Sequence, residues 1–162
     1  MNKIAIFEKV SFEEWKNRVD EYNIEKYNNI KLPVRATVGS AGYDFFAPFS
    51  FNLSPKQTII IPTGIRCKIE EGWFLMCAPR SGLGFKYRLQ LDNTIGIIDS
   101  DYYNSDNEGH IMIKITNDTY HNKTLEISVG ESFAQGIFLP YGITQNDMVT
   151  DIRNGGFGST SK

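Results

Sequence analysis

The stretch Thr58-Ile59-Ile60-Ile61-Pro62-Thr63-Gly64-Ile65-Arg66-Cys67-Lys68-Ile69 decides the fold class. Thr58–Ile61 is a β-branched run that Pro62 stops. After a turn, Ile65, Cys67 and Ile69 alternate with the charged Arg66 and Lys68, and a period of two means one buried and one wet face. Working outward, Ile111, Ile113 and Ile115 repeat the alternation, and so do Leu125, Ile127 and Val129. Trp73–Ala78 and Phe133–Leu139 are more continuously apolar and suit strands covered on both sides. Gly, Pro, Asn and Asp interrupt at short intervals. Many short strands with frequent turns predict an all-β chain, a sandwich or barrel and not a parallel α/β sheet. Neither an internal repeat nor a Walker-type phosphate loop is present.

The remaining composition narrows the class. The 162 residues suit one compact domain spanning 1–162, and 41% hydrophobic content argues against wholesale disorder. A formal charge of −2 with no basic run makes extended nucleic acid an unsuitable ligand, while a single nucleotide with its metal ion needs only a few well-placed cations. Cys67 and Cys77 lie in apolar surroundings without metal-ligand spacing and read as buried free thiols, which fits a reducing cytoplasm. The opening MNKIAIFEKVSFEEW has no apolar stretch long enough for a signal peptide or membrane span, so a soluble chain is expected.

One amphipathic helix is predicted over 11–22. Ser11 and Glu14 form a capping-box pattern, and Phe12, Trp15, Val19 and Tyr22 follow at helical spacing. Its role reads as packing, with partner docking as the alternative. Asn23 to Lys31 is polar and Asn-rich and reads as a loop. His110 and His121 have no Cys or second His at ligand spacing, so structural roles outweigh metal binding.

Five segments hold residues suited to chemistry. In Ser40-Ala41-Gly42-Tyr43-Asp44 a carboxylate follows a Gly at a strand start. Pro79-Arg80-Ser81-Gly82-Leu83-Gly84 follows an apolar strand and offers a guanidinium, a hydroxyl and Gly amides, a phosphate cradle or an ordinary exit turn. In Asn93-Thr94-Ile95-Gly96-Ile97-Ile98-Asp99-Ser100-Asp101-Tyr102-Tyr103 two acids emerge from an apolar run. On a strand Asp99 and Asp101 would share a face, as functional acids or as the polar end of a strand. Gln135 lies inside the apolar Phe133–Leu139 and must be a structural amide or a ligand contact. The tail 151–162, ending Gly155-Gly156-Phe157-Gly158-Ser159-Thr160-Ser161-Lys162, is either a frayed terminus or a flexible lid whose amides, hydroxyls and Arg153 suit a triphosphate.

Taken in order, these five segments resemble the five motifs of the trimeric dUTPase family, over nearly the whole chain from about Leu32. The resemblance implies a mostly antiparallel jelly-roll that assembles as a homotrimer with shared active sites and hydrolyses dUTP to dUMP and pyrophosphate. That reaction would keep uracil out of DNA and supply dUMP for dTMP synthesis. Asp44 matches the acid that holds a Mg2+ ion through water. Arg80, Ser81 and Gly82 match the phosphate grip, and Asn93 matches a reader of the uracil edge, helped by backbone near Gly109 and Ile111. Asp99 matches the general base, which the isoleucines 95, 97 and 98 would shield from water. Tyr102 matches the aromatic that lies against the deoxyribose and excludes a 2′-hydroxyl. Gln135 matches a phosphate and water contact. Phe157 and Gly158 would close over the uracil, while Arg153, Ser159 and Thr160 would hold the outer phosphates.

The chain departs from the pattern at three places. Tyr103-Asn104-Ser105-Asp106-Asn107-Glu108 intervenes before Gly109 as an inserted hairpin-like loop, Arg153 lies one residue nearer Phe157 than is common, and Ser161 replaces a final Gly. Two rival readings accompany the resemblance. One is a dCTP deaminase on the same fold; the other is a dUTPase-like protein that docks on a regulatory partner. The water-activating Asp99 argues against the first, and the presence of Asp99, Gln135 and Phe157 argues against the second. The free thiols and the lack of a signal stretch lead to the expectation of a cytoplasmic protein, in the host cytoplasm if its origin is viral.

Overall fold

The computed structural model describes residues 2–151 and Arg153. The predicted strands form, except that the one begun by Leu125 stops at Ile127 and leaves Val129 in an exposed turn. β1 is Ala5–Lys9, β2 Val34–Arg35, β3 Tyr43–Phe46, β4 Phe51–Leu53, β5 Thr58–Pro62 and β6 Ile65–Ile69. β7 is Trp73–Pro79, β8 Leu89–Leu91, β9 Gly96–Ile98, β10 Met112–Asn117, β11 Leu125–Ile127 and β12 Ser132–Pro140. All pairings are antiparallel, in sheets ordered β2-β3-β12-β7-β9, β5-β10-β8, β1-β6 and β11-β4.

The alternation read in the sequence sets the core. In β6 Ile65, Cys67 and Ile69 are buried, and in β10 Ile113 and Ile115 are buried in the same core as Leu75, Phe45 and Phe133 of the larger sheet. Burial raises the Cys77 thiol to about 12 and the Cys67 thiol further, so both remain protonated, free and unreactive. β7 and β12 are less covered than expected. Leu75, Cys77, Phe133 and Ala134 are buried, but Phe74, Met76, Ile137 and Leu139 are only half-buried, because one face of this sheet has no second layer in the single chain.

The N-terminal segment differs most from expectation. A strand, β1, precedes the helix and pairs with β6 from Ala5↔Ile69 to Lys9↔Ile65. The helix predicted over 11–22 is reduced to the short α1 (Phe12–Lys16), and a second short helix, α2 (Ile24–Asn28), forms in the segment expected to be loop. Short helices persist through packing more than propensity, and Trp15 is the only buried residue of α1. Asn23, read as loop, is the N-cap of α2: its side chain accepts the Lys26 amide at 2.7 Å. The capping box is half formed. Ser11 Oγ accepts the Glu14 amide at 3.1 Å, but the Ser11 amide donates to Glu108 at 2.7 Å, leaving the Glu14 carboxylate free to go elsewhere.

Two further departures concern the functional motifs. The segment after Arg80, read as a turn or cradle, is a seven-residue helix, α3 (Ser81–Tyr87), anchored by buried Tyr87 and ended by Arg88 at φ 51°. Its glycines masked it, since Gly is a poor helix former. Asp99 and Asp101 do not share a strand face. β9 stops at Ile98, and Asp99 is the cap of a 3-10 helix, Ser100–Asn104.

Candidate active site

Strand ends assemble one polar cluster. Asp44 on β3 is in register with Gln135 on β12, and Gln135 with Ala78 on β7. Arg80, just past the end of β7, places Nε 3.4 Å from Asp44 Oδ1 and donates through Nη1 to Ser132 Oγ. The half-buried Gln135 donates through Nε2 to the Pro79 carbonyl at 3.1 Å. Its Oε1 fills the space beside Gly42, where an added Cβ would lie 2.5 Å away. Gly42 is therefore part of the site's construction, and Ser132 orients Arg80. Ser81 and Gly82 are exposed on α3 beside the cluster.

A second element is a cleft of about 300 Å3, the scale of a small ligand pocket. Cys77, Leu91, Gly96, Ile98 and Ile111 line it with apolar atoms, and Asn93 stands at its polar edge. Lys114 Nζ pairs with Asp92 Oδ2 at 3.0 Å at the rim. The backbone of Ile111, expected to read a nucleobase, is engaged internally: its amide donates to Ile65 at 2.8 Å, and its carbonyl accepts the Thr63 amide and hydroxyl. Ile111 also lines the cleft. The Gly109 amide donates to Asn107 Oδ1 at 3.2 Å.

The third element follows β9, whose Gly96 and Ile98 line that cleft. β9 runs directly into Asp99, and the Tyr102 amide closes a turn on the Asp99 carbonyl at 3.2 Å. Of the isoleucines expected to shield Asp99, Ile98 is buried, whereas Ile95 and Ile97 are 45% and 44% exposed in the single chain. Tyr102 is buried, and that burial raises its phenol's pKa. Its hydroxyl donates to the His110 carbonyl and accepts from Asn107 Nδ2, both at 2.8 Å. Arg153, expected on phosphate, places Nη2 2.7 Å from Asp99 Oδ2 and Nε 3.1 Å from Asp101 Oδ1. The latter is an ion pair without hydrogen-bond alignment, and the guanidinium lies 5.7 Å from the Tyr102 ring centroid. Phe157, Gly158, Ser159 and Thr160 lie outside the described residues.

His110 is fully buried. Its Nε2 accepts the Gly64 amide at 2.9 Å, so the proton sits on Nδ1 and is donated to Glu14 Oε1 at 3.1 Å. No group of three or more His, Cys, Asp or Glu residues able to hold a metal ion occurs among the described residues.

Asp99 and Arg80 lie toward opposite ends of the same sheet. Ile98 pairs with Leu75, so Asp99 sits level with Phe74, six residues from Arg80, or roughly 20 Å at the usual rise of a strand.

A dUTPase family model matches residues 28–161. The chain is 39% identical over 142 residues to the deoxyuridine 5′-triphosphate nucleotidohydrolase of Lactococcus lactis, covering 85% of this chain and 93% of that protein. It is 40% identical over 141 residues to that of Hahella chejuensis, covering 82% and 88%. The crystal structure of the Streptococcus mutans dUTPase aligns with a TM-score of 0.64 at 32% identity, over 85% of this chain and 97% of that one. The Staphylococcus bacteriophage 80alpha dUTPase with dUPNHPP aligns over 99% of this chain and 100% of that one, with a TM-score of 0.67 and 22% identity, a likeness of fold. Antiparallel jelly-roll sheets, the five motifs in register and these relatives lead to one conclusion: the chain belongs to the dUTPase family.

Proposed function

We propose that this chain hydrolyses dUTP to dUMP and pyrophosphate by attack of water on the α-phosphorus. The observation that carries the reading is the continuity of β9: the strand whose Gly96 and Ile98 line the cleft beside Asn93 runs straight into Asp99. A base held in the cleft sets its sugar and α-phosphate toward the Asp99 turn. Asp99 takes the proton of the attacking water as the new O–P bond forms, and the bond from the α-phosphorus to the bridging oxygen breaks, releasing pyrophosphate. Arg153 leaves Asp99 for the negative charge of the phosphates, which frees the carboxylate Oδ2 for that proton. Tyr102 takes its place against the deoxyribose. The reaction would keep uracil out of DNA and supply dUMP, and a reducing cytoplasm suits its two buried thiols.

The roughly 20 Å between Asp99 and Arg80 is too long for both to act on one triphosphate. The site is therefore shared: Arg80, Ser81, Gly82 and Gln135 of one copy serve the base and cleft of another, in a homotrimer. The half-covered faces of β7 and β12 suit burial in such an assembly.

Magnesium fits the donor set present. Asp44 is the single carboxylate of the Arg80 cluster, and a lone carboxylate matches an ion held mostly by substrate oxygens and water, not a protein cage. When bound, the ion would offset charge on the phosphate chain.

Pyrophosphate release from dUTP, UTP, dCTP and dTTP, with magnesium or with EDTA, tests the reading. Magnesium-dependent release from dUTP alone is expected, and its absence would overturn the proposed reaction. Mixing inactive Asp99→Asn and Arg80→Ala subunits by unfolding and refolding tests sharing. Recovered turnover is expected, whereas none would place the whole site within one chain.

A further inference from the structure

Residues 8–14, outside the region shared with the family model, reach the sugar-facing turn at three points. Glu108 of the inserted loop accepts the Ser11 hydroxyl at 2.6 Å and the Ser11 amide at 2.7 Å. The Tyr103 hydroxyl donates to Glu8, and Arg66 lies 4.1 Å from the Tyr103 ring centroid while also pairing with Glu8 at 3.3 Å. Glu14 accepts the Nδ1 proton of His110, whose carbonyl in turn accepts the Tyr102 hydroxyl. Gly109 binds the two halves: at φ 71° it approaches so closely that an added Cβ would lie 2.7 Å from Tyr103 Cα and 2.8 Å from the Tyr102 carbonyl.

We propose that Glu14 is a positioning residue that acts through His110 to hold Tyr102, so that the N-terminal arm sets discrimination between deoxyribose and ribose triphosphates. The inference rests on the reading that Tyr102 faces the sugar. Rejecting a 2′-hydroxyl requires a wall that cannot retreat, because an extra hydroxyl is poorly excluded by a pocket that yields. Tyr102 sits in a turn with a six-residue insertion beside it, and the insertion would loosen that turn if nothing held it. Instead its polar groups are used: Glu108 and Tyr103 outward to the arm, Asn107 inward to the Tyr102 hydroxyl. Glu14 is the member of the arm nearest to Tyr102 along this chain of bonds. Its other partner, Arg18 at 3.0 Å, steadies the carboxylate. Trp15, 1% exposed beside Gly64, fixes α1 and with it the position of Glu14.

The test measures kcat and KM for dUTP and UTP in wild type, Glu14→Ala, Glu14→Gln and Tyr102→Ala, with amide hydrogen exchange across residues 100–110. In Glu14→Ala the ratio of kcat/KM for dUTP to that for UTP is expected to fall about tenfold, mostly through better use of UTP. Glu14→Gln retains an oxygen to accept the His110 proton and should restore the ratio, which a loss of stability alone would not predict. A lower melting temperature with an unchanged ratio in Glu14→Ala would overturn the proposal. Should Glu14→Ala fail to fold, Glu108→Ala is the second variant: a falling ratio supports the brace and a constant one overturns it. If Tyr102→Ala leaves the ratio unchanged, the sugar reading and the proposal both fall; faster exchange in Glu14→Ala would then show the brace to be structural only. A changed ratio in Tyr102→Ala beside a constant one in Glu14→Ala would remove the brace alone.

Discussion

The Asp44–Arg80–Gln135 cluster and the Asp99–Tyr102 turn are built by opposite means. The cluster is mounted on β3, β7 and β12, whose ladder bonds fix its side chains in register. The turn leaves the sheet at Ile98 and depends on side chains distant in sequence, Glu108 on Ser11 and His110 on Glu14, 97 and 96 residues apart. A strand-mounted group keeps its place while the sheet exists. A braced turn keeps its place only while several separate contacts hold, which makes it open to failure and to adjustment.

The largest expected effect tests the turn at its reacting group. Asp99→Asn should lose about a thousandfold in turnover, within the range for a general base, while still binding a nonhydrolysable dUTP analogue in calorimetry. Turnover near wild type would remove Asp99 from the chemistry. Next comes the brace's backbone. Gly109→Ala adds a Cβ within 2.8 Å of main-chain atoms at a positive φ and should cost about 3 kcal/mol in denaturant unfolding. An unchanged midpoint would mean that the turn is soft enough to absorb it.

The corresponding glycine of the sheet-mounted cluster predicts a different outcome. Gly42→Ala would press on Gln135 Oε1, the far end of one side chain and not backbone. Stability should fall by less than about 1 kcal/mol, while kcat/KM drops roughly tenfold as Gln135 leaves its position. Equal losses in both would erase the contrast between the regions.

The smallest effect concerns acid. Burial lowers the His110 pKa from 6.5, with Arg18 helping, although Glu14 and Glu108 oppose it. The unfolded chain therefore binds the proton more readily, so stability is full above 6.5 and declines as pH falls toward the folded value. The decline from this group is at most about 1.4 kcal/mol per pH unit. It should be absent in His110→Gln when unfolding midpoints are compared at pH 7.5 and 5.5. A slope that persists would assign the decline to carboxylates.

The same contrast explains what the sequence made legible. β5, β6, β7, β10 and β12 were readable because alternation or a continuous apolar run reports burial directly. Asp44, Arg80, Asn93, Asp99 and Gln135 stood out as polar groups at the ends of such runs. β1 was missed because Ala5-Ile6-Phe7-Glu8-Lys9 is brief and its partner, β6, lies some sixty residues on. α3 was hidden by its glycines. Glu14 was read locally as half of a capping box, and nothing in the local pattern reports that Glu108 takes the Ser11 amide in its stead. Contacts of high sequence separation between single side chains leave no period to detect.

The pairing of β1 with β6 also bears on how the chain is made. The first strand leaves the ribosome with no partner and can dock only when residues 65–69 have followed it. Its second attachment, through Ser11, waits for Glu108. Closing the longer loop adds little entropy cost, because that cost grows only with the logarithm of length. The delay is thus set by synthesis more than by thermodynamics: the Asp99–Tyr102 turn cannot be braced before residue 108 has emerged, and the Asp44–Arg80–Gln135 cluster waits longer still, for β12.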